Sequence, residues 1–326
     1  MKLYILFGVL IILIVILIIS SIQKNNDEIN DEIKKNDVKV GFQHFWGNYL
    51  TDGEIPFVNN LLSLIPNSVH EKDLSKCNII FHSHFGHSSK EEFLPNVKYI
   101  FFSGEHFNFD IKNYNASLSN QVTSDINICY PFFFIFYHSF HDRIKNAYHT
   151  DKSYIADKFC AFIASNKSFP GCKVRNEFFH YLTNNYKKVL SYGKAFNNVG
   201  YSLDFNYYDE KQLKLLNQHK FVICFENTKT EDYYITEKLF SAKFSGSIPI
   251  YWGTKKCLEI FNDDAFLYLE DETEESFKKL KDKIIELDNN DEMYLRMRNN
   301  ELFKQEATSK FDKSYIKALI KEKLNL

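Results

Sequence analysis

Glycine and proline are scarce in this sequence, 11 and 6 among 326 residues, which excludes fibrous, collagen-like and low-complexity proteins. Net charge is nearly absent. Forty basic against 42 acidic side chains leave −2, so no basic field exists to hold a nucleic acid polymer. The six cysteines, at 77, 129, 160, 172, 224 and 257, show no C-x-x-C spacing and read as small buried residues; a luminal location would permit disulfides, but their pairing is not readable. Neither G-x-G-x-x-G nor G-x-x-x-x-G-K-[ST] occurs, so the glycine-rich phosphate loops are missing. What the chain does hold is aromatic surface: 32 Phe and 20 Tyr supply ample apolar area to bury, which excludes disorder.

One stretch breaks the even composition. Residues 3–19 read LYILFGVLIILIVILII, without a charged side chain. As a helix rising 1.5 Å per residue this run covers about 26 Å, near the lower limit for crossing a bilayer. It ends in Ile18-Ile19-Ser20-Ser21-Ile22 with no A-x-A pattern, so an uncleaved transmembrane anchor over 1–22 is expected ahead of a cleaved signal or a core helix. Lys2 before the run, and Lys24 soon followed by acids after it, lean toward a cytoplasmic N-terminus with the bulk of the chain luminal. Residues 23–37, QKNNDEINDEIKKND, read as a polar stalk.

Past the stalk, short apolar runs alternate with amphipathic ones. The pattern predicts strands over 38–45, 77–82, 97–103, 126–130, 158–165, 188–192, 220–225, 247–252 and 265–269. Helices are predicted over 56–65, 172–186, 209–218, 234–245, 274–287 and 312–323. Strands separated by helices imply parallel α/β sheets. The irregular stretch 140–157, rich in His, Asp and Lys, is the best boundary and divides the chain into α/β domains at 38–150 and 151–326.

In open parallel sheets ligands bind beyond the carboxyl ends of the strands. Three polar clusters fall there: Gly104-Glu105-His106, Ser165-Asn166-Lys167 and Glu226-Asn227-Thr228. Each alone is an ordinary polar turn; their coincidence points to a site. After the third, Ile235, Leu239 and Ala242 stand at i, i+4 and i+7 and form a core-facing stripe, with Glu237 off it and Lys238 at its margin. Lys238 near a helix start opposes the helix dipole, as does Arg175 early in the helix after Pro170-Gly171, unless an anion neutralises them. Two such cations, each following a strand, suit a diphosphate between helix starts, although a surface Lys–Glu pair is the plainer reading of Lys238. His82-Ser-His84-Phe-Gly-His87 sets His82 and His84 on one face, where chelation is geometrically possible, but no H-E-x-x-H motif supports a metal there. No D-x-D triplet occurs, which removes the usual divalent-cation clamp for a nucleotide-sugar diphosphate. Glu270-Asp-Glu272 reads as an acidic turn.

The run FVICFENTKTEDYYITEKLFSAKFSGSIPIYWG, 221–253, closely resembles the signature of the α-1,3/1,4-fucosyltransferases, glycosyltransferase family 10. Its F-E-N-[ST], Y-[IV]-T-E-K and G-x-[IV]-P-[IV]-x-x-G blocks stand in the family's order. KFCAFIASNKSFPGCKVRNEFF, 158–179, and YIFFSGE, 99–105, are similar to the family's arginine and acidic segments. With the anchor and stalk, the resemblance implies a membrane-anchored member of α/β GT-B fold. Two Rossmann-like domains would face a cleft behind an N-terminal transmembrane helix, in a single-pass type II Golgi membrane protein with a luminal catalytic domain. It implies inverting transfer of L-fucose from GDP-fucose to a hydroxyl, expected to be O3, of N-acetylglucosamine in a glycan, with no required cofactor and a divalent cation at most stimulatory. By position, Glu105 resembles the general base, Arg175 and Lys238 the diphosphate-binding cations, and Tyr234 and Glu237 nucleotide-sugar contacts. Asn227, Glu226, Asn166 and Ser165 fall in the same donor-binding blocks, and no metal ligand is implied. The 38–150 domain then serves the acceptor and the 151–326 domain the donor.

The sequence departs from the family after Glu105, where His-Phe-Asn-Phe-Asp replaces a proline-containing continuation, and at Asn113-Tyr114, where many members have Asp-Tyr. Both departures bear on the acceptor rather than the donor. Of the sequons Asn115-Ala-Ser and Asn166-Lys-Ser, the second would set a glycan beside the donor phosphates, so Asn115 is the expected acceptor of any glycan. Two alternatives stand beside this reading: a GT-B transferase using another GDP-sugar, and a non-catalytic anchored carbohydrate-binding protein. The latter would tolerate loss of Glu105, Arg175 or Lys238.

Overall fold

The computed structural model describes residues 37–47, 57–85, 93–106, 110, 112–135, 154–168, 171–201, 203, 210–307, 309 and 312–326. Strands β1 (Val38–Gln43), β2 (Ser68–His70), β3 (Ile79–His82), β4 (Lys98–Phe102), β5 (Ala116–Ser119) and β6 (Asn127–Cys129) form one sheet in the order β2-β1-β3-β4-β5-β6. Strands β7 (Lys158–Phe162), β8 (Leu190–Ser191), β9 (His219–Ile223), β10 (Ile248–Tyr251) and β11 (Leu267–Tyr268) form a second, ordered β11-β10-β9-β7-β8. The pairings are parallel, with Ile80 opposite Tyr99 in the first sheet and Phe221 opposite both Cys160 and Ile248 in the second. Helices α1 (Phe57–Leu62), α2 (Cys172–Asn185), α3 (Glu210–Leu216), α4 (Glu237–Phe244), α5 (Cys257–Ile260), α6 (Glu274–Asp288), α7 (Asp291–Asn299) and α8 (Lys313–Leu324) accompany them.

Parallel strands are covered on both faces and so read as continuous apolar runs. β3, β4 and β10 follow this rule and are legible for that reason. β5, Ala-Ser-Leu-Ser, is buried between β4 and β6 yet carries no apolar run; its Ser119 Oγ donates to Asn127 Oδ1 at 2.8 Å instead. The short edge strand β2 and the polar helix α7 also lie outside the predicted elements. α7 is set by its cap, the Asn290 side chain accepting from the Met293 N–H at 3.1 Å.

The chain end returns to the first sheet. Ile316, Ile320 and Leu324 bury one face of α8, which packs on β5 and β6. Lys323 Nζ donates to the Ser124 carbonyl at 2.8 Å, and Lys98 donates to the carbonyl of Leu324. Three bonds from residues 233–235 join the sheets closer to the strand ends: Tyr233 N to Asn120 O (2.8 Å), Phe133 N to Ile235 O (3.3 Å) and Tyr234 Oη to Glu105 Oε2 (3.0 Å). Residues 233–235 stay outside the helix, and α4 begins at Glu237 rather than at 234.

The expected anchor at 1–22 and the stalk up to residue 36 lie outside the described residues, as does the expected domain boundary up to residue 153. Among the described residues no helix is long and apolar enough to cross a membrane. α6, with 15 residues, extends only about 22 Å at 1.5 Å per residue, against the ~30 Å of a hydrocarbon core, and it carries charge along its length. The expectation of a membrane-anchored member is corrected on that finding. With it go the transmembrane helix of the fold, the membrane as a partner, and the single-pass type II Golgi placement with a luminal domain. All six cysteines are buried and free.

Two buried polar nodes brace the second sheet. Asp288, at the end of α6, accepts from Lys187 Nζ (2.5 Å), Tyr186 Oη (2.7 Å) and Lys220 Nζ (2.8 Å). Burial opposes its ionisation, but these donors outweigh it and hold the carboxyl below the usual range. His219, fully buried in β9, pairs Nδ1 with the Leu215 carbonyl and Nε2 with Tyr192 Oη, each at 3.0 Å. Burial pushes its pKa down to about 4, so the folded ring stays neutral.

A folded pKa below the ordinary value of 6.5 means that between the two the unfolded chain binds the extra proton. Stability should therefore fall as pH drops from 6.5 toward 4, by up to about 1.4 kcal/mol per pH unit from this group. Urea midpoints of the wild type and His219→Asn across that window test this, and a pH slope unchanged by the substitution contradicts it.

Candidate active site

Glu226 is the most buried charge of the three clusters. The Glu226 N–H donates to Trp252 O at 2.9 Å, extending the β9–β10 register past the strand and driving the side chain inward, where it is 0% exposed. A buried carboxylate is costly unless fully bonded. Here Oε1 accepts from the Thr236 N–H (2.7 Å) and Tyr251 Oη (3.4 Å), and Oε2 from Thr236 Oγ1 (2.7 Å) and Lys238 Nζ (3.0 Å). Close packing makes glycine obligatory at 253: a Cβ there would lie 2.5 Å from Tyr251 Oη and 2.9 Å from Glu226 Cγ.

Lys238 stands in the first turn of α4, one-quarter exposed, with a second bond to Thr236 Oγ1 at 2.8 Å. Burial works against its charge, but Glu226, then Glu237 and Glu105, outweigh that and hold the ammonium above the ordinary lysine value. Burial first, and Glu226 after it, raise the Glu237 carboxyl; Lys238 opposes them. Thr236 turns its hydroxyl to Glu226 rather than back onto its helix, so α4 starts without a side-chain cap.

Arg175 is the second cation, 4% exposed, in an α2 that also starts without a side-chain cap or an acid in its first turn. Its Nη1 donates to Asn227 Oδ1 (3.3 Å), and its Nη2 to Asn166 O (2.8 Å) and Cys172 Sγ (2.9 Å). Its Nε is buried with no partner among the described residues. The two loops meet closely, for a Cβ on Gly171 would lie 1.7 Å from the Asn227 carbonyl oxygen. Consecutive residues therefore hold both cations: Glu226 takes Lys238, and Asn227 takes Arg175. Ser165 and Asn166 are exposed at the end of β7, and Asn166 Oδ1 accepts from the Ser168 N–H at 2.8 Å.

Glu105 follows β4 on the other sheet. Ser103 fixes its backbone, with Oγ accepting from the Glu105 N–H (3.2 Å) and donating to its carbonyl (3.0 Å). Tyr234 reaches it from the second sheet. Burial, then Glu226 and Glu105, push the phenol far above its ordinary range, so Tyr234 stays a donor. The structure thus pairs Tyr234 with Glu105, ties Glu226 to Lys238 both directly and through Thr236, and joins Arg175 to Asn227 and Asn166. Thr236, Tyr251 and Cys172, which complete these contacts, are not singled out by the sequence. All three stand inside the family's blocks, but block membership does not reveal which side chains turn inward.

The histidine triplet is not assembled among the described residues. His82 is buried with Nδ1 2.5 Å from Tyr114 Oη, and His87 lies outside the description. No group of three His, Cys, Asp or Glu that could hold a metal ion occurs among the described residues.

The family model described as "Glycosyltransferase family 10 (fucosyltransferase) C-term" matches residues 156–319, half of the chain. The chain belongs to glycosyltransferase family 10. It is 27% identical over 276 residues to the alpha-(1,3)-fucosyltransferase FucT of Helicobacter pylori, covering 72% of this chain and 54% of that one. It is 26% identical over 187 residues to the human 4-galactosyl-N-acetylglucosaminide 3-alpha-L-fucosyltransferase 9, covering 56% and 45%. The chain thus spans about half the length of these curated relatives. Its fold matches a crystal structure of alpha1,3-fucosyltransferase with GDP-fucose at TM-score 0.65 and 22% identity, over 89% of this chain and 91% of that one. The two parallel sheets agree with the GT-B arrangement of this glycosyltransferase family.

If Glu226 organises the family 10 site, Glu226→Ala strips the mostly buried Lys238 of its counter-charge, leaves the Thr236 N–H unpaired, and should cost about 3–5 kcal/mol in urea unfolding. A loss below about 1 kcal/mol, the worth of an exposed pair, contradicts this.

Proposed function

We propose that this chain transfers L-fucose from GDP-fucose, with inversion, to a hydroxyl of N-acetylglucosamine in a glycan, preferentially O3. The tie of both cations to adjacent residues, Lys238 to Glu226 and Arg175 to Asn227, carries the reading, because it supports two positive charges at neighbouring helix starts. Family membership, and a similar fold that binds GDP-fucose, support fucose as the transferred sugar. The region up to residue 150 then serves the acceptor, and the region from 151 the donor.

Chemically, the acceptor oxygen attacks the anomeric carbon while Glu105 takes its proton. The bond from that carbon to the phosphate oxygen breaks, and GDP leaves with the electron pair. Arg175 and Lys238 stabilise the growing charge on the diphosphate. Among the described residues Lys238 donates two of its three N–H bonds, which leaves the third for a phosphate oxygen. Glu226 acts through Lys238, fixing where that ammonium stands, while Glu237 borders the donor.

GDP release should be measured for GDP-fucose and GDP-mannose with N-acetyllactosamine and with a chitobiose core. Lys238→Ala and Arg175→Ala should each lower kcat about 10²–10³-fold and weaken GDP binding. Glu105→Gln should lower kcat about 10²–10⁴-fold with GDP affinity kept. Turnover with GDP-mannose alone changes the donor, and no GDP from any pair removes the enzymatic reading.

A further inference from the structure

Glu105 comes from the first sheet, whereas the groups proposed to take the diphosphate come from the second, so transfer requires the base to be registered against the other half of the molecule. We infer that Tyr234 is a positioning residue for the Glu105 carboxylate: it holds one oxygen across the cleft so that the other is presented to the acceptor hydroxyl. The inference rests on the reading of Glu105 as the base.

Three observations carry it. Tyr234 Oη donates to Glu105 Oε2 at 3.0 Å, while no described residue donates to Oε1. Tyr234 itself is 1% exposed and cannot swing, because the residues on either side of it are bonded to the first sheet, Tyr233 N to Asn120 O and Ile235 O to Phe133 N. The Glu105 backbone is independently clamped by Ser103. Both ends of the contact are thus fixed by structure outside it, and a rigid donor sets the carboxylate's orientation. The charged and titratable groups around Glu105 are Tyr234, Glu226, Glu237 and Lys238 from the second sheet and His106 beside it in the chain, its ring 6.1 Å from that of Tyr234.

Through the reaction the proton passes from the acceptor hydroxyl to Oε1 of Glu105, and Tyr234 keeps its own. This role differs from a direct nucleotide-sugar contact, which would act on donor affinity.

The test compares wild type, Tyr234→Phe, Glu105→Gln and the double variant in full-length protein. Tyr234→Phe should lower kcat about tenfold and keep GDP affinity within about twofold. The double variant should lose no more kcat than Glu105→Gln alone. An unchanged kcat in Tyr234→Phe, additive losses in the double variant, or a loss confined to GDP affinity overturns the inference. Full activity in Glu105→Gln overturns the base assignment itself and is read separately. Should Tyr234→Phe not fold, Glu105→Asp withdraws the carboxylate from the same hydroxyl by one methylene. That variant should lower kcat about tenfold or more with GDP affinity kept, and full kcat in it overturns the inference.

Discussion

A single carboxylate at the interior end of β9 dictates how this protein is put together. Glu226 has no exposure, and an unbonded charge there would cost several kcal/mol, a large share of the roughly 5–15 kcal/mol by which folded proteins are typically stable. Its donors come from two directions: Thr236 and Lys238 at the start of α4, and Tyr251 at the end of β10. Meeting them fixes where α4 begins. The residues just before that start, 233–235, are then delivered to the first sheet, where they bond Asn120, Glu105 and Phe133. The join between the sheets near the strand ends is therefore a consequence of satisfying one buried charge.

The join has a second support far from the cleft. α8 lies against β5 and β6, with lysine-to-carbonyl bonds at its end. Helix packing of this kind is broad and tolerant, whereas the 233–235 contacts are few and directional. The division of labour follows from distance to the chemistry. Apolar packing holds the two sheets together, and hydrogen bonds near the strand ends set their register to the fraction of an ångström that group transfer needs.

Much of this arrangement is legible in the order of the amino acids. Continuous apolar runs such as those of β3 and β10 announce buried parallel strands, and the polar residues that follow β4, β7 and β9 stand where ligands bind. Glu105, Arg175 and Lys238 are accessible because a charge after a strand or at the wrong end of a helix is conspicuous in one dimension. β5 is not, because Ser117 and Ser119 are buried by hydrogen bonding, which leaves no hydrophobic pattern. The inward turn of Thr236, Tyr251 and Glu226 is also invisible, since which polar residue points inward depends on neighbours distant in sequence. The run at 3–19 shows the opposite hazard: its composition alone suggests an anchor, and no helix among the described residues has the length or apolarity to cross a membrane.

The helix starts supply the remaining step. α6, α7 and α8 begin with side-chain caps from Thr273, Asn290 and Asp312, and α6 and α7 add acids in their first turns. α2, α4 and the one-turn α5 have no such cap; α2 carries Arg175 near its start without an acid in its first turn, and α4 carries Lys238 next to the acid Glu237. A missing cap costs about 1 kcal/mol, and a cation against the dipole about 0.3–1 kcal/mol more. Glu226 and Asn227 offset part of that deficit, but neither lends a side chain to the free N–H groups of the two helices. An anion with several acceptor oxygens would complement those N–H groups and both cations together. Two uncapped helix starts with a cation thus lie beside Glu226 and Asn227, where a diphosphate would convert a standing cost in stability into affinity.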